Sequence, residues 1–128
     1  MDEELIASTV EPLVIPEIVA FPEEIDISNA VAVTSELIDA FRPGVAVVIA
    51  DLRQTTFCDS SAIRCLLVAR DRAADNGSQL RVVAPSPAVR RSLHIVGADN
   101  LLSLYGSLHE ALTNAPPLQA PEPPAQPT

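Results

Sequence analysis

The chain has 128 residues, of which 48% are apolar and only 3% aromatic. This length can bury one hydrophobic core but not two, and an aliphatic interior suits helices packed on a buried sheet. The net charge is −9: the first 40 residues carry ten acidic residues and no basic one, and the chain contains no Lys. Because nucleic-acid binding needs a basic surface, this balance argues against DNA or RNA and favours a protein partner.

Cysteine usage and the absence of long apolar runs indicate a reduced, cytoplasmic protein. Cys58 and Cys65 form neither a disulfide framework nor a metal cluster, so packed free thiols are expected. No run approaches the roughly 20 apolar residues that a membrane-spanning helix needs. The first residues, Met-Asp-Glu-Glu, also lack the positive start of a signal peptide. The sequence therefore predicts no membrane insertion.

The first half of the chain contains two short strands, a helix and a longer strand. The β-branched runs at 14–15 and 18–21 are interrupted by prolines, which favours antiparallel edge strands at the N-terminus. Apolar residues then follow helical spacing over residues 27–41, with Ser28 as the predicted N-cap. Residues 45–50 are continuously apolar, as in a central strand that is covered on both faces.

The second half alternates between helix and strand. The predicted segments are a helix over 60–76 ended by Gly77, a strand over 80–84, a helix from Ser86-Pro87 to Gly97, a strand over 101–105 and a helix that Ser107 caps. Such alternation requires parallel pairing with right-handed crossovers. The predicted fold is a single α/β domain over residues 1–114, with a mixed, mostly parallel sheet and about four helices. Residues 115–128 hold six of the twelve prolines and are expected to form a disordered tail.

The most informative polar group is Asp59-Ser60-Ser61, at the predicted start of the long helix. One interpretation is structural, because Asp and Ser are common N-cap residues. The other is that a Ser hydroxyl there accepts a phosphoryl group. A helix N-terminus carries partial positive charge, so the fold would tolerate the added negative charge while a docking partner would meet an altered surface.

An ordered set of short motifs resembles the STAS domain family, which includes sulphate-transporter tails and anti-sigma factor antagonists. The resemblance covers about residues 13–113. Its motifs are Glu24-Ile25-Asp26 with Asn29-Ala30, the strand over 47–51, Phe57-Cys58-Asp59-Ser60-Ser61, the stretch over 77–84, Pro85-Ser86-Pro87-Ala88-Val89-Arg90, Leu93 and Val96-Gly97. The resemblance implies a STAS-like fold and a bacterial partner-switching protein.

For the antagonist members of this family, the resemblance implies a phosphorylation cycle. Ser60, directly after the Asp of the motif, is the implied phosphoacceptor, and Ser61 is the second candidate. The dephosphorylated form would bind an anti-sigma factor with serine-kinase activity and thereby free the sigma factor. Phosphorylation would end the complex, and a serine phosphatase would reset it. The residues predicted to contact the partner around the phosphosite are Asp26, Asp59, Ser61, Ala62 and Arg64.

One residue departs from the family pattern, and two other functions remain open. Ala62 stands where the family usually has Gly, and its methyl is expected where the partner's backbone approaches. It motivates the alternative of a STAS scaffold without phosphorylation, in a transporter or a stress-signalling assembly. A third hypothesis is a small-ligand or nucleotide sensor.

Enzymatic activity and a metal site are not expected. Asp26 and Asp59 have no accompanying base, nucleophile or metal set, so no catalytic residue and no cofactor are predicted. His94 and His109 have no carboxylate or Cys partners at ligand spacing, and no metal ligand is predicted. The Leu and Val stripes of the helices are interpreted as core rather than as binding grooves.

Overall fold

The computed structural model describes residues 15–113 and Leu118, which form an α/β fold with six strands, four α-helices and one 3₁₀ turn among them. The strands and helices, renumbered in chain order, are β1 Glu17–Ala20, β2 Glu24–Ile25, α1 Ala30–Asp39, β3 Val47–Asp51, β4 Phe57–Cys58, α2 Ser60–Asn76, β5 Gln79–Val83, α3 Pro87–Ile95, β6 Ser103–Tyr105 and α4 Leu108–Leu112. The 3₁₀ turn, Ala98–Asn100, precedes β6. The α/β class with four helices and a mostly parallel sheet is confirmed.

The described strands form two parallel sheets. Four strands pair in the order β1-β3-β5-β6, and β2 pairs with β4 in a second, two-stranded sheet. β3 lies centrally because Val48, Ile49 and Ala50 are apolar without alternation and are buried completely. A central parallel strand of this kind needs helices or other structure on both of its faces.

Two unequal hydrophobic layers cover the four-stranded sheet. The larger layer joins the sheet to α1, α2 and α3 and includes Leu37, Leu66 and Leu93, all of which are fully buried. On the opposite face, α4 contributes Ala111 to a small cluster with Tyr105 and its aliphatic neighbours on β3 and β5. The three longer helices therefore share one side of the sheet, and it is on this side that the ends of β2 and β4 lie.

The prediction of antiparallel strands at the N-terminus is wrong for the described residues. β1 pairs with β3 in parallel, with Ile18 opposite Ile49, and β2 pairs with β4 in parallel, with Ile25 opposite Cys58. The physical reason is connectivity, since α1 carries the chain across between the paired strands and such crossovers place them parallel. Within the predicted run at 14–15, Ile15 is not in a strand, and Val14 lies outside the described residues.

Local capping signals account for most helix boundaries. α2 spans the predicted residues, and Gly77 ends it in the left-handed conformation at φ 67°, where a residue without a side chain is favoured. Ser86 and Ser107 cap α3 and α4 as predicted. The exception is α1, which begins at Ala30 with Asn29 rather than Ser28 at the cap position. The domain boundary at 114 and the predicted disordered tail fall on residues outside those described, apart from Leu118.

Candidate functional site

The predicted site lies where two short parallel strands end side by side. Ile25, the last residue of β2, is opposite Cys58, the last residue of β4. The backbone N–H of Asp59 extends this pairing by donating to the carbonyl of Ile25 at 3.2 Å. Each strand is thus followed by an aspartate, Asp26 or Asp59. This pairing is what brings the two predicted acidic residues to the same edge of the fold.

Asp59 starts α2 and orients the serines that follow. It has extended backbone geometry, and its Oδ1 accepts hydrogen bonds from the N–H groups of Ser61 at 2.8 Å and Ala62 at 3.4 Å. Ser60 is consequently the first helical residue and is exposed, whereas Ser61 is half-buried. Within the described part of the chain, the Ser60 hydroxyl makes no hydrogen bond, so an external group has free access to it.

Asp26 closes a tight turn before α1. Its backbone N–H donates to the side-chain oxygen of Asn29 at 3.0 Å, and the Asn29 amide donates to the carbonyl of Glu24 at 2.9 Å. The hydroxyl and the backbone N–H of Ser28 both donate to the Asp26 carboxylate. These hydrogen bonds, the hydroxyl's first among them, hold the pKa of Asp26 below its ordinary value. The carboxylate is therefore ionised and is held by Ser28 in the turn before α1.

The loop between β3 and β4 is tied to the strand β2 and its approach. Thr55 is buried, and its hydroxyl donates to the carbonyl of Pro22 at 2.7 Å. The backbone N–H of Thr56 donates to the carbonyl of Glu23 at 2.8 Å. These bonds, which were not predicted from the sequence, hold together the two chain segments that lead into β2 and β4. The segment that leads to Ser60 is therefore held by hydrogen bonds rather than being a free loop.

An apolar groove of about 400 Å³ opens between α1 and α2 and reaches Ser61, the neighbour of Ser60. Its lining residues are Ile27, Ala30, Val31, Thr34, Ser35, Ser61, Arg64, Cys65 and Val68. Val31 is 79% exposed and Ile27 83%, and Val68 and the nearby Phe57 are also exposed. The predicted core stripes are buried, as Val33 and Leu66 show, and the groove is lined instead by Val31 and Val68 on another flank of each helix.

The structure brings most of the predicted contact residues together but excludes one of them. Asp26, Asp59 and Ser61 meet at the strand ends, and the exposed Arg64 lines the adjoining groove. Ala62 is only 1% exposed, and its methyl packs in the main core. The prediction that this methyl meets the partner's backbone is therefore wrong. Its helical spacing to the buried Leu66 was the signal that placed it on the core face.

The two cysteines are buried free thiols, as predicted. Burial raises the pKa of Cys58, and the negative charge of Asp59 raises it further; burial also raises the pKa of Cys65. Both thiols therefore stay protonated and unreactive. Among the described residues, no group of three or more His, Cys, Asp or Glu side chains could hold a metal ion. No helix in this part of the chain is long and apolar enough to cross a membrane.

The cap supplied by Asp59 gives a first testable prediction. Asp59→Ala is expected to lower the free energy of unfolding by about 1 kcal/mol, because two backbone N–H groups at the start of α2 lose their acceptor. Asp59→Asn is the matched control, since the Asn oxygen still accepts from these N–H groups. Urea denaturation of the three proteins measures the difference. Equal losses in the Ala and Asn variants would show that the cap is not the stabilising element.

A second prediction concerns acid stability through Asp51, which is buried at the end of β3. Burial alone would raise the pKa of this carboxyl, but the hydrogen bonds and the positive charge of Arg53, 2.8 Å away, outweigh burial and hold the pKa below its ordinary value. At pH 7, Asp51→Asn is expected to cost about 1–2 kcal/mol of unfolding free energy. The exposed Asp75→Asn is the control.

The sign of the pH dependence follows from the lowered pKa. The stabilisation by Asp51 is complete above the unfolded-state pKa of about 3.9 and is lost as the pH falls through the lower, folded-state pKa. The difference in stability between the wild type and Asp51→Asn should therefore shrink below about pH 4. Urea titrations between pH 7 and pH 3 measure it. A difference that stays constant over this range would contradict the role given to the Asp51–Arg53 pair.

Comparison with known proteins agrees with this architecture. Residues 9–111 match the family model of the STAS domain. The anti-sigma-F factor antagonist RsfB of Mycobacterium tuberculosis is 28% identical over 90 residues, which cover 70% of this chain and 73% of that protein. The crystal structure of an anti-sigma factor antagonist from Mycobacterium paratuberculosis superposes with a TM-score of 0.70 at 27% identity, over 78% of this chain and 85% of that chain.

A more distant structure shares the fold. The anti-sigma factor antagonist SpoIIAA in its unphosphorylated form superposes with a TM-score of 0.64 at 18% identity, over 80% of this chain and 90% of that one. At this identity the likeness bears on the fold alone. The family model, by contrast, covers most of the chain, including β2, β4 and the start of α2. The chain belongs to the STAS domain family.

Proposed function

We propose that this protein is a cytoplasmic anti-sigma factor antagonist that is switched by phosphorylation of Ser60. The single observation that carries the proposal is the exposed, unengaged Ser60 hydroxyl at the first position of α2, held there by the Asp59 cap. The relatives named as anti-sigma factor antagonists support the same role. In this role the protein binds a partner and is the substrate of a kinase rather than an enzyme.

The partner in this proposal is an anti-sigma factor with serine-kinase activity. The dephosphorylated protein occupies the anti-sigma factor, and the sigma factor is released. The kinase then transfers the γ-phosphoryl group of ATP to the Ser60 oxygen, the hydroxyl proton is lost and ADP leaves. A serine phosphatase hydrolyses the ester to inorganic phosphate and restores the hydroxyl.

The electrostatics of the site account for the direction of this switch. Phosphorylation adds about −1.5 to −2 charges at the positive end of α2, where the helix dipole accommodates them. The same charge is added beside the carboxylates of Asp26 and Asp59. The fold is therefore preserved, whereas a partner fitted to the unmodified surface meets additional bulk and negative charge.

The surface around Ser60 indicates what the partner must present. The groove between α1 and α2 offers Val31 and Val68 as exposed apolar contacts, and Glu23 and Glu24 are exposed on the approach to the site. A partner that inserts an apolar side chain into the groove and places Arg or Lys over the carboxylates would bury the first and neutralise the second.

The alternative of a scaffold without phosphorylation loses its motivating observation. That alternative depended on the methyl of Ala62 obstructing recognition of the motif. Because this methyl packs in the core, the surface that a kinase would meet is the same as with glycine. The alternative of a nucleotide or small-ligand sensor has no specific observation in its favour among the described residues.

The experiment is an ATP-driven release assay. The dephosphorylated protein is bound to a cognate anti-sigma kinase, and ATP is added while light scattering or calorimetry follows the complex. The wild type and the control Ser61→Ala are expected to dissociate, whereas Ser60→Ala should stay bound because the acceptor oxygen is gone. Dissociation of Ser60→Ala at the wild-type rate would refute the proposed switch. Failure of the unmodified protein to bind any anti-sigma factor would refute the antagonist role itself.

A further inference from the structure

We propose that Leu118, in the chain's own C-terminal segment, docks between α3 and the outer edge of β6. The proposal goes beyond the switch at Ser60 and concerns a different part of the molecule. In this arrangement Leu118 covers the edge that β6 presents among the described strands and keeps it from pairing with another chain.

Leu118 is hydrogen-bonded to the outer edge of β6. β6 is the last strand in the sheet order, and the carbonyl of Tyr105 accepts from Ala84, on the β5 side. In a parallel ladder the preceding residue, Leu104, directs its backbone groups to the opposite side, where no described strand pairs with β6. The N–H of Leu118 donates to the carbonyl of Leu104 at 2.7 Å. The C-terminal segment therefore makes a ladder-type hydrogen bond at the position where an added strand would begin.

The exit of the chain from α4 is fixed toward this edge. Arg81 lies on β5, and its guanidinium donates to the carbonyls of Ala111 at 2.7 Å and Thr113 at 3.0 Å. The same guanidinium lies 5.6 Å from the ring centroid of Tyr105 on β6. The last turn of α4 is thus clamped beside the edge strand, five residues before Leu118. Holding the segment at this start lowers the entropic cost of docking Leu118.

Gly106, directly after β6, leaves room for the Leu118 side chain. This glycine does not have a positive φ, unlike Gly44, Gly77 and Gly97, so its backbone conformation does not require the absence of a side chain. What the missing side chain provides is room. A Cβ at Gly106 would lie 3.2 Å from the Cδ1 of Leu118, closer than ordinary van der Waals contact. The residue that follows β6 is therefore shaped to accept the Leu118 side chain.

A groove of about 420 Å³ lies beside Leu118 and carries charges that complement the segment. It is lined by Pro87, Arg90, Arg91, His94, Asp99, Leu104 and Leu118 itself. The only charged side chain in the sequence of residues 115–128 is Glu122, four positions after Leu118. The arginines of α3 therefore suit the charge that the sequence of the segment carries.

His94 and Asp99 form part of the groove wall. Oδ2 of Asp99 lies 2.8 Å from Nδ1 of His94, a pairing across the end of α3 that was not predicted from the sequence. Within the described residues, the Nε of Arg90 and the Oδ1 of Asp99 are buried without a hydrogen bond.

The docking is tested on the full-length protein by amide hydrogen exchange. The amide of Leu118 is expected to exchange at least about tenfold more slowly than in a synthetic peptide of residues 114–128, because it donates to Leu104. Leu118→Asp should change the NMR shifts of Leu104 and Gly106, whereas Ala125→Asp, with the same added charge, should not. Exchange of the Leu118 amide at the peptide rate would overturn the proposal. Protection that appears only at high protein concentration would assign the groove to the segment of a second copy and would overturn docking within one chain.

The proposed covering of the β6 edge is tested by measuring self-association. An uncovered edge strand promotes pairing between copies, so Leu118→Asp is expected to self-associate at least about fivefold more tightly than Ala125→Asp. Sedimentation velocity over a range of concentrations measures this, and circular dichroism confirms that both variants are folded. Equal self-association of the two variants would refute the edge-covering role. Because Ser60 takes no part in these measurements, their outcome is separate from that of the proposed switch.

Discussion

Replacing Ser60 by Asp is expected to weaken binding of the anti-sigma partner about a hundredfold, which corresponds to about 2.7 kcal/mol. The physical reason is that a carboxylate at this exposed position places a further negative charge beside Asp26 and Asp59, in the surface that the partner is proposed to cover. Isothermal calorimetry with the dephosphorylated wild type and the variant measures the change.

The same substitution is expected to leave the fold intact. An acidic residue in the first turn interacts favourably with the helix dipole, so the free energy of unfolding should stay within about 0.5 kcal/mol of the wild type. Ser60→Asn is the matched control, because it is similar in size without the charge and should bind more tightly than Ser60→Asp. Equal affinities of the Asp and Asn variants would mean that charge at Ser60 does not control binding.

Ile25→Ala is expected to cause the largest loss of stability among the changes near the site, about 2–5 kcal/mol. Ile25 is 0% exposed in the main core, and removing three carbon atoms leaves a cavity beneath the strand ends. Urea unfolding measures this loss. The control is Val31→Ala, at a position on α1 that is 79% exposed, where a change within about 0.5 kcal/mol is expected.

The backbone connection to Ser60 should survive the loss of the Ile25 side chain. Asp59 bonds to the carbonyl of Ile25, which the substitution retains. The folded fraction of Ile25→Ala should therefore still be modified at Ser60 by the kinase. A stability loss below about 1 kcal/mol would contradict the assignment of Ile25 to the core under the site.

Local signals predicted much of this fold because they act within a few residues. The limits of α2 followed from Asp59 and Gly77, since an N-cap oxygen and a left-handed glycine act on the adjacent turn whatever the rest of the chain does. The central strand was recognisable from its continuous apolar run, although it begins at Val47, two residues after the predicted start.

Features that depend on distant parts of the chain were missed. β4 has only two residues, and it is a strand because β2 pairs with it, which no periodicity in the segment indicates. The direction of β1 depended on the crossover through α1.

Part of the candidate site was predictable from local signals, and part depends on pairing between distant strands. Asp59, Ser60 and Ser61 are contiguous, so a helix start was enough to predict their arrangement. That Asp26 lies at the neighbouring strand end was implied by the family resemblance alone, and the pairing of Ile25 with Cys58 supplies its structural basis. The burial of Ala62 was available from its four-residue spacing to Leu66.

Localisation of the phosphate decides whether Ser60 is the switch residue. The full-length protein is incubated with ATP and its anti-sigma kinase, and fragmentation mass spectrometry then assigns the modified residue. We expect one phosphate per chain, on Ser60, and none on the half-buried Ser61 or on Thr55, whose hydroxyl is buried against Pro22. A phosphate on any other residue, with Ser60 unmodified, would contradict this expectation.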